Sequence, residues 1–421
     1  MSKKQTPNKY NDLWANEVHK CSKCGKCRAF CPVFLETRDE KMGTRGRISL
    51  ADALITNRIE LTPEFVRSIS TCMRCLRCVK ECPSKVDFDK LIRGLKGVLS
   101  EEVPAYKAAK GAIRSVLLNR WILDALAFAA FCGQKVLPGG RNQWVKKIPF
   151  FYRGSHASPR FSRVSALKKY AGGHAVKDPR YRVLLYVGCV INYLYPEIAE
   201  AVIDVLGRFN VEVIVSDKEL CCGIPALSSG DNETARRLAR KNIDVAAKLD
   251  VDYIISACGT CVSTFKRDYE ELLGDESKEF SGKVIDVSCF IKDVLNAEFP
   301  RMDAKVTYHD PCHLKFGVDV TKEPRCLLSE ASDFIEMEDA DKCCGMAGGF
   351  GIMNYDLAKK MFLRKAQAVR KSGAEIVATG CPSCIMQIKG QLHDHGIDVE
   401  VMHTAELLKK SLDSKKEKDE S

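Results

Sequence analysis

The 421-residue chain has no uninterrupted apolar stretch long enough to cross a bilayer, and residues 1–17 lack the apolar core of a signal peptide. These absences predict a cytoplasmic protein, at most peripheral on the inner face of a membrane. There is no G-x-G-x-x-G run opening a helix after a strand, so no nucleotide or flavin site is predicted on this chain. No nucleic-acid-binding motif accompanies the net charge of +11, which is spread along the chain rather than gathered in one block. No nucleic acid is therefore expected; the charge suits an acidic partner or anionic lipid. Strand signals are scarce before residue 100.

Cysteine, by contrast, is abundant, with 21 residues. The cytosol keeps thiols reduced, so without export these cysteines do not read as a disulfide framework. Clustered C-x2-C spacing points to metal. Two arrays, Cys21-x2-Cys24-x2-Cys27-x3-Cys31-Pro32 and Cys72-x2-Cys75-x2-Cys78-x3-Cys82-Pro83, have the spacing by which bacterial ferredoxins hold [4Fe–4S] clusters. In that pattern three thiolates wrap one cluster and the fourth reaches across to the other. Cys21, Cys24, Cys27 and Cys82 are thus expected on one cubane, and Cys72, Cys75, Cys78 and Cys31 on the second. Four thiolates also suit zinc, but zinc sites seldom need two four-cysteine runs each closed by Cys-Pro. Lys23, Lys26, Arg28, Arg74, Arg77 and Lys80 interleave the arrays, either as a solvated basic face or as cations that raise the cluster potentials.

A second pair of arrays reads Cys189…Cys221-Cys222-Gly223…Cys258-x2-Cys261 and Cys312…Cys343-Cys344-Gly345…Cys381-x2-Cys384. Corresponding cysteines lie about 122–123 residues apart, the mark of an internal duplication. Around them, buried strands (182–188, 211–215, 253–257, 305–311, 375–379) alternate with helices (about 232–249 and 355–371). That alternation predicts two small α/β domains with largely parallel sheets. Every cysteine of this pair falls at a strand's carboxyl end or in the turn after it, where such sheets collect ligands. Gly223 and Gly345 would let the backbone turn closely around a bulky group. Adjacent cysteines cannot both point at one corner of a cubane, so two unusual five-cysteine metal sites are expected; vicinal disulfides are the competing reading. Cys132, Cys289 and Cys326 belong to no array and read as small buried hydrophobes. His309 and His313, beside Cys312, read as structural residues or as donors to a bound group.

The fold class expected is therefore a multidomain α+β and α/β protein. An α-helical ferredoxin-like domain (1–100) and a helical and linker segment (101–180) come first. Two duplicated Cys-Cys-Gly domains (181–300 and 301–408) follow, then a disordered charged tail (409–421). Pro63 suits the first turn of a helix, and Gly43 opens another. The apolar run 115–132 reads as a helix packed on the core, or lying on a membrane or a membrane partner.

This order of arrays resembles a large oxidoreductase family. It includes the iron–sulfur subunit of glycolate oxidase, lactate-utilisation subunits, the C subunit of anaerobic glycerol-3-phosphate dehydrogenase and the heterodisulfide reductase subunit of methanogens. The segments Gly43-Thr-Arg-Gly-Arg-Ile, Tyr308-His-Asp-Pro-Cys-His-Leu and Ala378-Thr-Gly-Cys-Pro-Ser-Cys resemble the glycolate and lactate members. Gly188-Cys-Val-Ile-Asn-Tyr resembles the glycerol-3-phosphate subunit. The resemblance implies two further, non-cubane [4Fe–4S] clusters, one on Cys189, Cys221, Cys222, Cys258 and Cys261, the other on Cys312, Cys343, Cys344, Cys381 and Cys384. It also implies an electron-transfer subunit served by an FAD-containing dehydrogenase partner that oxidises lactate or glycolate. The acceptor would be a quinone or membrane redox partner. The alternatives are a thiol–disulfide reductase acting at the paired clusters, and the iron–sulfur subunit of a glycerol-3-phosphate dehydrogenase.

Overall fold

Helices of the first domain start where side chains satisfy the free N–H groups of their first turn. Thr62 accepts from Phe65 N at 3.2 Å ahead of helix Pro63–Ser70, and Asp87 accepts from Lys90 N at 3.0 Å ahead of helix Phe88–Glu102. The computed structural model describes residues 14–136, 144–146 and 157–419. Its N-terminal domain is helical, as expected. Helix Thr44–Ile55 and helices Pro63–Ser70 and Phe88–Glu102 bury Ile48, Leu54, Phe65, Ile69, Leu91, Ile92, Leu95 and Leu99 in one core. The last helix runs past residue 100, so the expected limit there falls inside a continuous element.

The apolar run 115–132 is not one helix. Helices Pro104–Leu118 and Arg120–Val136 meet at Asn119, whose extended backbone breaks the pattern and whose side-chain amide donates to the Ser115 carbonyl at 2.8 Å. The two are bent by 97°, and no single described helix is long and apolar enough to span a bilayer. The second leaves Trp121, Leu126 and Phe128 exposed, with Trp121 and Phe128, two turns apart, on one face.

Strands β1 (Trp144–Lys146) and β2 (Ala157–Pro159) pair antiparallel; the rest of the expected arm between them lies outside the described residues. The sheet of the first duplicated domain contains β3 (Gly172–His174), β4 (Tyr181–Tyr186), β5 (Val211–Val215), β6 (Tyr253–Ser256) and β7 (Val284–Asp286), in the order β3-β5-β4-β6-β7. All neighbours are parallel except β3, which comes from the expected linker and closes one edge antiparallel. The second sheet contains β8 (Lys305–His309), β9 (Asp333–Phe334), β10 (Ile376–Thr379) and β11 (Glu400–His403), all parallel, in the order β11-β10-β8-β9. With the edge strand β3 set aside, β5-β4-β6-β7 matches β9-β8-β10-β11 strand for strand, so the duplication read from cysteine spacing is a duplication of topology.

The region expected as a disordered tail is helical through Asp419, in a helix that begins at Thr404. Its first turns are anchored: Leu407, Leu408 and Ser411 are buried, and Lys409 reaches Asp204 at 3.6 Å. Residues 420 and 421 lie outside the described residues. Of the three unassigned cysteines, Cys289 is buried as expected, whereas Cys132 and Cys326 are exposed.

Candidate iron–sulfur centres

The ferredoxin-type arrays line two adjoining cavities. One is walled by Cys21, Cys24, Cys27 and Cys82, the other by Cys31, Cys72, Cys75 and Cys78, with Cys78 also reaching the first. Each array therefore sends its fourth cysteine to the cavity of the other. Burial, with Cys31 and Cys72 close by, pushes the Cys75 thiol up to about 12; burial and Cys75 push Cys78 up as well. Crowded buried thiols of this kind ionise only against a cation, which is the chemistry of a metal–thiolate site.

Several cations stand behind the second cavity. Arg47, only 1% exposed, donates to Ser68 O at 2.7 Å and Thr71 Oγ1 at 3.0 Å. Lys96 donates to Cys72 O at 2.9 Å, and burial lowers its pKa to about 8. Arg74 is buried in a bidentate pair with Asp89 (2.9 and 2.8 Å). Arg77 lies between the rings of Phe30 and Phe316 and 3.3 Å from Asp341. Arg74 and Arg77 are thus seam residues between domains rather than part of a solvated face; Lys26, Arg28 and Lys80 remain at the surface, paired with Glu81, Glu40 and Asp319.

In the duplicated domains the sheets deliver the remaining cysteines to one shared region. Gly223 and Gly345, at φ +102° and +92°, turn the chain directly after each Cys-Cys pair, and a Cβ at Gly345 would meet Ala358 O at 2.8 Å. Successive thiols are close neighbours along Cys189, Cys221, Cys222, Cys261 and Cys258. Cys258 then neighbours Cys381 of the other domain. From there the run continues through Cys384, Cys344 and Cys343, with Cys344 Sγ and Cys384 Sγ 3.5 Å apart. Cys222, Cys344 and Cys381 each sit between two other thiols, and those neighbours hold them well below the usual thiol range.

Cys312 joins this assembly to the ferredoxin arrays. Cys75, Cys312 and Cys343 line one cavity between the domains. Beside it, His313 Nε2 donates to Arg74 O at 3.1 Å, and Thr260 Oγ1 lies 3.1 Å from His313 Nδ1 and 3.7 Å from Cys381 Sγ. One histidine therefore touches all three domains. His309, 1% exposed, lies against Cys344 and Cys384, with ligand atoms all within 4.8 Å of one another.

All eighteen array cysteines thus fall in a connected set of sites. Sequence reasoning missed Arg47, Lys96, Thr260, Glu219 and Lys365, which pack around them. The only signal was a charged or polar residue within an otherwise apolar face, and that is ambiguous without the third dimension.

Residues 17–86 match the 4Fe–4S dicluster domain, and residues 183–266 and 306–389 each match the cysteine-rich domain. A probable glycolate oxidase iron–sulfur subunit from Bacillus subtilis is 27% identical over 441 residues, covering 96% of each chain. Lactate utilization protein A from Exiguobacterium sp. is 32% identical over 54% of this chain and 96% of its own length. A fumarate reductase (CoM/CoB) subunit from Methanothermobacter marburgensis is 35% identical over 55% of this chain and 47% of its own length. With its dicluster domain, its two cysteine-rich domains and these relatives, the chain belongs to the iron–sulfur protein family of the glycolate oxidase iron–sulfur subunit and lactate utilization protein A.

Proposed function

We propose that the chain is the electron-transfer subunit of a 2-hydroxy-acid oxidoreductase, taking electrons from a flavin-containing partner that oxidises lactate or glycolate. The observation that carries this reading is the continuity of thiols from Cys75 through Cys312 and Cys343 into the Cys-Cys-Gly region. Cys21, Cys24, Cys27 and Cys82 would hold one cubane [4Fe–4S] cluster, and Cys31, Cys72, Cys75 and Cys78 the other. Cys189, Cys221, Cys222, Cys258 and Cys261 would hold a third, non-cubane cluster. Cys312, Cys343, Cys344, Cys381 and Cys384 would hold a fourth. Bound clusters supply one-electron carriers. The chain's own part is to space the sites, exclude water from them and place Arg47, Lys96 and Arg74 where they offset thiolate charge.

The names of the glycolate oxidase and lactate-utilisation relatives support this substrate class. The exposed Trp121, Leu126 and Phe128 offer a contact for a membrane quinone or membrane redox partner. Anaerobic purification with the partner should yield a brown complex containing FAD, whose clusters are reduced on adding lactate or glycolate. A colourless zinc protein, or clusters indifferent to both acids in the presence of the flavoprotein, would refute the reading.

A second reading, disulfide reduction between the paired Cys-Cys-Gly sites, is favoured by one observation. Both five-cysteine sets are complete, and they meet at Cys258 and Cys381. Consumption of a heterodisulfide with reduced viologen and no flavoprotein would establish it over the first.

A further inference from the structure

The duplication permits an internal comparison, because residues at equal distances from matching cysteines occupy matching places. Three residues before Cys189 stands Tyr186, and three before Cys312 stands His309. Sixteen residues before Cys258 stands Asn242, and sixteen before Cys381 stands Lys365. All four side chains are buried, and all four are aimed at the segment that enters a Cys-Cys turn. Tyr186 Oη donates to Leu220 O, and Asn242 Nδ2 donates to Cys221 O at 3.2 Å. In the second copy His309 Nδ1 donates to Ala340 O at 3.1 Å, while Lys365 Nζ donates to Asp339 O at 2.6 Å and Ala340 O at 2.9 Å.

The charges differ accordingly. Lys365 is 0% exposed and bonds two carbonyl oxygens, with no carboxylate among its hydrogen-bond partners, so its charge is left to act on its surroundings. Those surroundings include Cys343 and Cys344. The acids nearest this site are occupied: Asp310 by Arg325 (2.7 and 3.0 Å) and Lys315 (3.4 Å), Asp341 by Arg77 (3.3 Å) and Lys315 (3.2 Å). His309 is fixed with its proton on Nδ1, because that nitrogen faces a carbonyl; its other nitrogen is left for the Cys344 and Cys384 side.

The first copy has the neutral Tyr186 and Asn242, and its fully buried acid Glu219 accepts from Val187 N and Gly188 N. Its nearby cation, Arg120, lies outside the duplicated unit, donates to Glu219 O and is 4.0 Å from Asp124. A buried cation stabilises the more negative, reduced state of an anionic centre and so raises its potential.

We propose that the two Cys-Cys-Gly centres are electrostatically inequivalent, and that Lys365 makes the second centre the one where electrons collect. This rests on the reading that both five-cysteine sets hold iron–sulfur clusters. An electron moving from the first centre to the second oxidises the one and reduces the other, with no bond made or broken. Because Cys75 shares a cavity with Cys312 and Cys343, the favoured site is also the one beside the ferredoxin arrays.

The test is an EPR-monitored redox titration of the anaerobically purified full chain carrying its clusters. Lys365→Asn installs the first copy's residue and should move the higher-potential Cys-Cys-Gly signal downward, leaving the lower one in place. Lys365→Arg should keep the potential near that of the unmodified chain. The reverse exchange, Asn242→Lys, should raise the lower-potential signal and narrow the gap even if Lys365→Asn fails to fold. Signals that move with neither exchange, or a lower-potential signal that follows Lys365→Asn, would overturn the proposal. Iron and sulfide sufficient for the ferredoxin-type clusters alone, with no further signal to titrate, would instead overturn the cluster reading beneath it.

Discussion

The Gly259 amide donates to the Gly380 carbonyl at 3.0 Å, joining the two duplicated domains directly after Cys258 and before Cys381. No side chain fits between these strand ends. A Cβ at Gly259 would lie 2.4 Å from Leu314 Cγ, and one at Gly380 would lie 2.9 Å from Leu314 Cδ1. Leu314, two residues after Cys312, fills the space both glycines leave. The close approach brings Cys258 and Cys381 together and turns two five-cysteine sets into one assembly.

The crossing of the ferredoxin arrays predicts which cysteine belongs with which signal. Cys31→Ser should extinguish the same ferredoxin-type EPR signal as Cys75→Ser, and Cys82→Ser the same one as Cys24→Ser. Loss of a signal shared by Cys31 and Cys24 instead would mean that each array closes its own cluster.

Asp89 holds two buried guanidiniums, those of Arg74 and of Arg93 at 3.3 Å. Burial alone would raise its pKa, but Arg74 outweighs it and holds the carboxyl well below the usual range. The unfolded chain then binds a proton before the folded one does. The stabilisation is complete above about pH 4 and is lost as pH falls below that value. Asp89→Asn takes the bidentate partner from Arg74, leaving it only Asp268 at 3.6 Å, while Arg93 keeps Glu271, and should cost about 3 kcal/mol in urea unfolding at pH 7. It should also flatten the acid side of the stability profile, and an unchanged acid limb would contradict the assignment.

Gly230, at φ +81°, lies against the backbone of helix Phe88–Glu102, and a Cβ there would be 2.2 Å from Gly97 N. Gly230→Ala therefore meets backbone on one side and a left-handed conformation on the other. A cost of about 2–4 kcal/mol is expected. Because the contact joins the ferredoxin domain to the first duplicated domain, calorimetry should show the two beginning to melt apart. A single transition at the original temperature would argue against so tight a contact.

The exposed face of helix Arg120–Val136 should matter for the acceptor and not for cluster assembly. Replacing Trp121 and Phe128 with Ser should leave iron content and dithionite reduction unchanged, while lowering electron delivery to quinone-containing membranes by about tenfold, the equivalent of about 1.4 kcal/mol of lost contact. Full retention of membrane-linked activity would remove this face from the reading.

Much of the architecture was legible in the sequence because thiol spacing is short-range. Three cysteines in the seven residues from Cys21 to Cys27 constrain one loop, and equal spacing of about 122–123 residues announces a repeated topology. The expectation for 115–132 failed because hydropathy averages over Asn119, whose side chain caps one helix and whose backbone turns away into the next. The tail expected for 409–421 continues a helix that begins upstream at Thr404, where buried Leu407 and Leu408 seat the first turns; charge counted over 409–421 alone says nothing of that anchor. The basic residues of the arrays showed the same blindness: Lys26 and Arg74 look alike in sequence, yet only Arg74 finds Asp89 and is buried.

By itself, the sequence determined the kind of centre: which cysteines are spaced to act together, how often the unit repeats and that the chemistry is iron–sulfur. Tertiary structure decided how the centres are related, because Cys258 meets Cys381 and Cys75 shares a cavity with Cys312 only after chain segments remote in sequence are packed together. It also decided that Lys365, an ordinary helix lysine in sequence, is sealed beside Cys343 and Cys344 with carbonyls for partners. Electrostatic effects of that kind depend on distance and burial, and neither quantity is written along the chain.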